Sequence, residues 1–126
     1  MLEGDFNLSI RTIMRAQGLK AIHIREADDP GASDLIVAKG PRILAWAELK
    51  MDNEPLRPSQ VEFLRAMDTN AGNAFVLRMH GNTGIVSVER PLKTDGWSTD
   101  NKKLIVIHRT QGLDFDWATG FARWKR

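Results

Sequence analysis

The chain has 126 residues, of which 42% are hydrophobic and 27% are charged, and its formal net charge is +2. This length supports one hydrophobic core and is too short for two ordinary domains, so we expect residues 1–126 to form a single domain. Cysteine is absent, which excludes disulfides and thiolate zinc sites. No apolar run approaches the length of a membrane span, and the amino terminus is acidic where a signal peptide is basic, so we expect a cytoplasmic protein with no membrane partner.

The first predicted element is an amphipathic helix over residues 2–17. Apolar side chains recur at helical spacing from Leu2 to Met14, and Gly18 follows as a carboxyl-terminal stop. On this helix Glu3 lies about 50° from the centre of the apolar stripe, which turns it toward the interior. Glu3 is therefore predicted to be either a first-turn acid that favours the helix dipole or part of a site beneath the helix.

Three strands are predicted to follow the helix. Residues 19–26 alternate in polarity, which places Ile22 and Ile24 together on a buried face. Two further strands are predicted over residues 33–38 and 43–50, on either side of a Gly-Pro turn. Three successive strands of this kind predict an antiparallel meander.

A second helix and a fourth strand are predicted next. Pro58 suits a first helical turn, and the helix is expected to end at Met67 or Asp68. Residues 74–79 have the composition of a strand, and a strand reached through a crossover helix pairs in parallel with its partner. The predicted element order is therefore αβββαβ.

Residues 81–126 are predicted to form a carboxyl-terminal extension of short strands and loops. The loops are expected to expose Trp97 and Trp117. The last six residues carry three cations and Trp124, so they are predicted either to hold phosphates and stack on a base or to be a solvated terminus. The expected strands cover residues 84–88 and 103–108, and the expected loops cover residues 91–101 and 110–119.

The most informative chemical pattern lies on two strands of the predicted meander. Asp34 precedes an apolar run, and Glu48 and Lys50 close the next one. Because side chains alternate along a strand, Glu48 and Lys50 share a face with Trp46. A Glu-x-Lys pair alone is more often a solvent-facing pair than a site. Asp34 at a strand start, the element order and Gln60 on the next helix together favour a metal-dependent nuclease site.

These residue types suit phosphodiester hydrolysis assisted by Mg²⁺. The ion prefers oxygen ligands and keeps several waters, so two carboxylates and a carbonyl can hold it and leave room for a phosphate. Bound Mg²⁺ lowers the pKa of its water and neutralises charge on the phosphoryl oxygens. Lys50 is predicted to orient the attacking water and stabilise charge, rather than to serve as the general base.

The segment from Gly31 to Asp34, the Glu48-x-Lys50 pair and Gln60, set in an αβββαβ order, resemble the PD-(D/E)XK nuclease superfamily. Within it they are most similar to the VRR-NUC and Holliday-junction-resolvase-like branch, and the resemblance covers roughly residues 3–80. It implies an α/β, restriction-endonuclease-like fold, with a mixed sheet flanked by helices. One departure is Arg57, which stands where relatives often have the Ser or Thr that caps the second helix; another is Ser33, in place of a common proline.

The resemblance also implies roles for individual residues. Mg²⁺ would be the cofactor, with Mn²⁺ able to substitute for it. Lys50 would position the nucleophile, and Gln60 would belong to the site, although a helix-capping bond explains Gln60 equally well. The implied catalytic set is Asp34, Glu48, Lys50 and Gln60, and the implied metal ligands are Asp34, Glu48, the Leu49 carbonyl and Glu3.

The implied activity is that of a metal-dependent DNA endonuclease of a phage or repair type, acting on a junction, flap or nick. It would be found in the cytoplasm of a prokaryote or a phage-infected cell. RNA is left open as a substrate, because the metal chemistry is indifferent to the 2′-hydroxyl. Resolvase-like relatives are two-fold dimers, so a homodimer is expected. The alternative is a non-catalytic or partner-dependent nucleic-acid-binding module on the same fold.

Overall fold

The computed structural model describes residues 3–24 and 35–126, with the Glu3 side chain left out. None of the helices in these ranges is long and apolar enough to cross a membrane. The helices are α1 (Glu3–Ala16), α2 (Pro58–Ala71) and α3 (Trp117–Trp124). The strands are β1 (Lys20–His23), β2 (Leu35–Lys39), β3 (Arg42–Met51), β4 (Ala74–Met79), β5 (Ile85–Arg90) and β6 (Ile105–Gln111).

The strands form one mixed sheet in chain order, from β1 to β6. β1, β2 and β3 pair as an antiparallel meander, and β4 pairs in parallel with β3 after the α2 crossover. β5 and β6 continue the sheet in antiparallel fashion. The αβββαβ order and the parallel fourth strand predicted from the sequence are therefore confirmed. The two strands predicted in the extension are present, are longer than expected and belong to the same sheet.

The sheet separates two hydrophobic clusters. The larger cluster lies between the sheet and helices α1 and α3, and the smaller cluster lies under α2. Along β3, the side chains of Ala45, Ala47 and Leu49 belong to the larger cluster, and Trp46 packs against the smaller one. The alternation predicted for this strand is confirmed. β3 is buried on both faces, so a charged side chain near its end lies inside the protein.

The prediction that Trp97 and Trp117 are exposed in loops is wrong, because they are 2% and 0% exposed. Trp117 begins α3, a helix that the sequence pattern did not predict. The centre of this short helix is Gly120, and glycine weakens helix propensity. A Cβ at Gly120 would come within 2.7 Å of both Phe115 and Trp124, whose rings stack at 5.7 Å. The glycine is therefore required by the close approach of the aromatic rings.

The carboxyl terminus is anchored to the body of the protein. The Arg126 Nε donates to both carboxylate oxygens of Asp68 at 3.1 Å, and the Arg126 backbone N–H donates to the Gly72 carbonyl at 2.8 Å. Trp97 Nε1 donates to the same Asp68 carboxylate at 2.8 Å. Trp124 is buried against Phe75. The expectation of a tryptophan free to stack on a base is wrong, and the terminus is held in place although Arg123 and Lys125 are exposed to solvent.

The predicted burial of Ile22 on the first strand is wrong. Ala21 is buried, whereas Ile22 is 50% exposed. β1 is an edge strand that packs on α1, and only a small side chain faces the helix there. Ile24 lies beyond the end of the strand, and residues 25 and 26 of the predicted strand lie outside the described residues.

The Asp68→Ala substitution should lower the free energy of unfolding by roughly 3 kcal/mol, because it leaves the Arg126 guanidinium and the buried Trp97 N–H without their acceptor. The measurement is urea unfolding followed by tryptophan fluorescence. Asp114→Ala, at an exposed aspartate, is the matched control and should leave the midpoint unchanged. Equal midpoints for the two variants would contradict the anchoring role of Asp68.

Candidate active site

Glu48 and Lys50 lie side by side in the carboxyl-terminal half of β3, on the face that α2 covers. Despite their charges they are only 1% and 3% exposed. In the parallel ladder Glu48 lies opposite Val76, and Lys50 lies opposite Arg78. The interpretation of this pair as a solvent-facing surface pair is therefore wrong. Burying charged groups costs free energy unless they are hydrogen-bonded or paired, so their partners decide what this site can do.

Gln60 connects Glu48 to the start of α2. Its Nε2 donates to Glu48 Oε1 at 2.8 Å, and its Oε1 accepts the backbone N–H of Arg57 at 2.9 Å. The interpretation of Gln60 as a capping residue is confirmed, and its role in a catalytic site stays a prediction. Arg57 has extended dihedrals of φ −82° and ψ 155°, and Gln60 accepts the backbone N–H of this N-cap residue, as the third residue of a capping box does. The carboxylate also benefits from the positive end of the helix dipole.

The Lys50 ammonium faces the loop that joins β3 to α2. Its Nζ lies 3.0 Å from Glu54 Oε1, and the Glu54 side chain is 43% exposed. An ion pair with one exposed partner is weak and readily exchanged. An ammonium group has three N–H donors, so the contact with Glu54 leaves donors available for other oxygens. Glu54 was not among the residues singled out from the sequence.

Arg78 holds this loop in place from the neighbouring strand. Its Nη1 donates to the backbone carbonyls of Asp52 and Glu54 at 2.8 and 2.7 Å. Its Nε donates to both carboxylate oxygens of Glu89 at 3.1 and 3.2 Å, and its Nη2 donates to Asn101 Oδ1 at 3.1 Å. One buried guanidinium thus fixes the loop that carries the ionic partner of Lys50.

The Arg78–Glu89 ion pair continues into a short polar chain. Ser87 Oγ donates to Glu89 Oε2 at 3.0 Å, and His80 Nε2 lies 2.7 Å from the same hydroxyl. Because the hydroxyl hydrogen points to Glu89, His80 Nε2 must be the donor in the second bond. This network was not predicted from the sequence. The available signal was a cation in an otherwise apolar strand and an acid in the next one, where Arg78 pairs with Ser87 and Glu89 is two residues further along β5.

Of the predicted metal ligands, Asp34, Glu3 and Leu49 are described by the structure to different extents. Asp34 lies outside the described residues, and so does the Glu3 side chain. The Leu49 side chain is buried in the larger cluster. The Trp46 N–H donates to the Asn73 carbonyl on the β4 side, so by alternation the Leu49 carbonyl points toward the β2 side. There the described ladder ends with the pair Leu35–Ala47.

Within the described ranges, no three histidine, aspartate or glutamate side chains come together as a metal site. Of the predicted ligands, the Glu48 carboxylate and the Leu49 carbonyl are the described oxygen donors at this end of β3. Both are hard donors of the kind that Mg²⁺ and Mn²⁺ accept. The described part of the site therefore fits a divalent ion that takes further ligands from elsewhere.

Comparisons with known proteins support the fold. No protein-family model and no curated protein sequence matches the chain. Among solved structures, the chain is similar to Hjc, a Holliday junction resolvase from Archaeoglobus fulgidus, with a TM-score of 0.57 and 17% sequence identity. The chain has a restriction-endonuclease-like fold. The predicted α/β fold class, with its mixed sheet and flanking helices, is confirmed.

The structural likeness extends further than the sequence resemblance. It covers 92% of this chain and 97% of the resolvase, whereas the sequence motifs reach only to about residue 80. At 17% identity the likeness shows the fold alone. The predicted resemblance to resolvase-like proteins is therefore supported at the level of the fold. Membership of the VRR-NUC branch stays a prediction.

The Arg78→Lys substitution keeps the charge and should still lower the free energy of unfolding by roughly 2–3 kcal/mol, because lysine cannot reproduce the fork of hydrogen bonds. Hydrogen exchange of the amides in residues 52–57 should accelerate more than exchange in α1. The matched control is Arg65→Lys, at an exposed arginine of α2 that donates a hydrogen bond to the Trp97 carbonyl. Unchanged protection of the loop in Arg78→Lys would refute the clamp.

Proposed function

We propose that this chain is a metal-dependent endonuclease that hydrolyses phosphodiester bonds in structured DNA, such as a junction, flap or nick. The observation that carries the proposal is the buried Glu48 carboxylate, held by Gln60 beside the Lys50 ammonium. Burying these polar side chains in the sheet costs stability, and they add nothing to the hydrophobic clusters. The fold shared with a Holliday junction resolvase supports the same reading.

Glu48 and the Leu49 carbonyl are proposed to hold Mg²⁺, together with Asp34 and, on α1, Glu3. Asp34 directly precedes Leu35, which pairs with Ala47, the residue before Glu48. When bound, the ion supplies charge neutralisation at the phosphoryl oxygens and a lower pKa for its water. Mn²⁺ is expected to substitute, because it accepts the same oxygen ligands.

Lys50 is proposed to orient the attacking water and to stabilise the charge that develops on phosphorus-bound oxygens. Its remaining N–H donors can contact the water and a phosphate oxygen at the same time as Glu54. The water attacks phosphorus in line with the leaving 3′ oxygen, the P–O3′ bond breaks, and the products carry a 5′-phosphate and a 3′-hydroxyl. Gln60 keeps the Glu48 carboxylate in one orientation through this step.

Residues 3–24 and 35–126 contain one such site, so symmetric cutting of two strands requires two chains. We propose a homodimer on this ground, with DNA as the partner. The chemistry does not distinguish DNA from RNA, and RNA substrates belong in the same assay. Light scattering of the purified protein measures the oligomeric state directly, and a mass of one chain at micromolar concentration would contradict the dimer.

Cleavage of labelled DNA tests the proposed activity. The wild-type protein should cut a four-way junction, a flap or a nicked duplex with Mg²⁺ or Mn²⁺, and EDTA should abolish the reaction. Asp34→Asn, Glu48→Gln and Lys50→Met should each lower the single-turnover rate by about 100-fold or more, because each removes a ligand or the group that stabilises charge. Gln60→Leu should lower it less, since it loosens Glu48 without removing it.

The matched control is Glu62→Gln, which makes the same chemical change at an exposed position of α2 and should cut like the wild type. Circular dichroism and urea unfolding establish that each variant is folded. Equal rates for wild type, Glu48→Gln and Lys50→Met would reject the proposal. A protein that binds DNA but neither cuts it nor binds Mn²⁺ would instead be a binding module.

A further inference from the structure

A second charged surface lies at the opposite end of β3 from the candidate active site. There the turn between β2 and β3 and the outer side of α3 border a groove of about 430 Å³. Its lining includes three cations from separate elements, Lys39, Arg42 and Lys125, and no acidic residue. Leu44 and Phe121 contribute apolar lining between them. We call this surface the basic groove.

Two of these cations face each other directly. Lys39 and Arg42 are paired across the β2–β3 hairpin, and both are exposed. Like charges directly opposite each other destabilise a hairpin. Within the described ranges, neither side chain has a salt bridge to a carboxylate that would relieve this repulsion. A bound anion between them would relieve it.

The third cation is fixed in place by its neighbours. The Trp124 carbonyl accepts a hydrogen bond from Arg90 Nη1, and the Arg126 N–H donates to the Gly72 carbonyl at 2.8 Å. Arg126 is held further by the buried carboxylate of Asp68. The backbone of Lys125 is thus anchored on both sides, which keeps its side chain at the rim of the groove. Less backbone freedom is then lost when a ligand binds there.

We propose that the basic groove binds the phosphate backbone of DNA as a contact separate from the candidate active site. Three cations around an apolar floor suit consecutive phosphates and the sugars between them, and they provide no means of reading bases. The proposal deepens the proposed function, on which it rests for the choice of DNA as ligand. The affinity of the basic groove for DNA can be measured under conditions in which no DNA is cut.

The position of the groove indicates which part of a substrate it contacts. Arg42 and Glu48 are six residues apart on β3, which corresponds to about 20 Å. The groove lies on the α3 side of the sheet, whereas Glu48 and Gln60 lie on the α2 side. The two surfaces therefore contact different segments of one DNA molecule, such as two arms that meet at a branch.

One acid near the groove opposes this binding. Asp116 caps α3: its pKa is held below the usual value by hydrogen bonds from the Thr119 hydroxyl and backbone N–H, and the charge of Lys39 lowers it further. Its carboxylate therefore stays ionised and attracts Lys39 at neutral pH. Asparagine caps helices as well as aspartate does, so Asp116→Asn removes the charge and keeps the cap.

The test is fluorescence anisotropy of a labelled four-way junction and a linear duplex, titrated with full-length protein in EDTA over a range of KCl concentrations. The triple variant Lys39→Gln/Arg42→Gln/Lys125→Gln should bind the junction at least about tenfold more weakly at low salt. The slope of log affinity against log salt should become shallower by about 2 to 3, because about 0.9 is lost for each phosphate contact. Asp116→Asn should bind more tightly than wild type.

The matched control is Lys93→Gln/Lys102→Gln/Lys103→Gln, which removes the same charge from exposed residues between β5 and β6. It should retain most of the wild-type salt slope. Equal losses in the two triple variants, or no binding of DNA by the folded wild-type protein, would overturn the proposal. Because the assay contains no metal, groove-dependent binding by a protein that cuts nothing would support the groove and count against the nuclease activity alone.

Discussion

The site depends on the hydrogen bond between Gln60 and the buried carboxylate of Glu48. Gln60 uses both ends of its amide, one to cap α2 and the other to hold Glu48. The same side chain therefore fixes where the helix begins and compensates part of the desolvation of the carboxylate. Loss of Gln60 would affect the helix start and the orientation of Glu48 together. This coupling ties the candidate chemistry to the crossover that builds the fold.

The parallel pairing of β3 and β4 extends this arrangement to the rest of the polar face. It places Lys50 opposite Arg78, and Arg78 holds the loop in which Glu54 meets Lys50. Lys50 and Arg78 are thus linked through Glu54, whose carboxylate pairs with Lys50 and whose backbone carbonyl accepts a hydrogen bond from Arg78. The opposite side is apolar and takes its stability from α1 and α3. One face supplies the core, and the other positions polar groups at the end of β3.

Much of this architecture follows from local patterns in the sequence. The alternation along β3, the proline at the start of α2 and the crossover to β4 predicted the relation of Glu48, Lys50 and Gln60, and the structure brings these three together. The burial of the tryptophans could not be predicted from these local patterns, because it depends on partners that are distant in the sequence. Trp97 and Arg126 both bond to Asp68, across 29 and 58 positions of the chain. Local periodicity carries no information about such contacts.

Binding of Mn²⁺, measured by calorimetry on the protein without DNA, tests the central claim most directly. We expect the wild-type protein to bind Mn²⁺ and Glu48→Gln to abolish the heat of binding. Gln60→Leu should weaken the affinity, whereas Glu62→Gln should leave it unchanged. An unaltered Mn²⁺ affinity in folded Glu48→Gln would contradict it, because the buried carboxylate would then have no part in holding the metal.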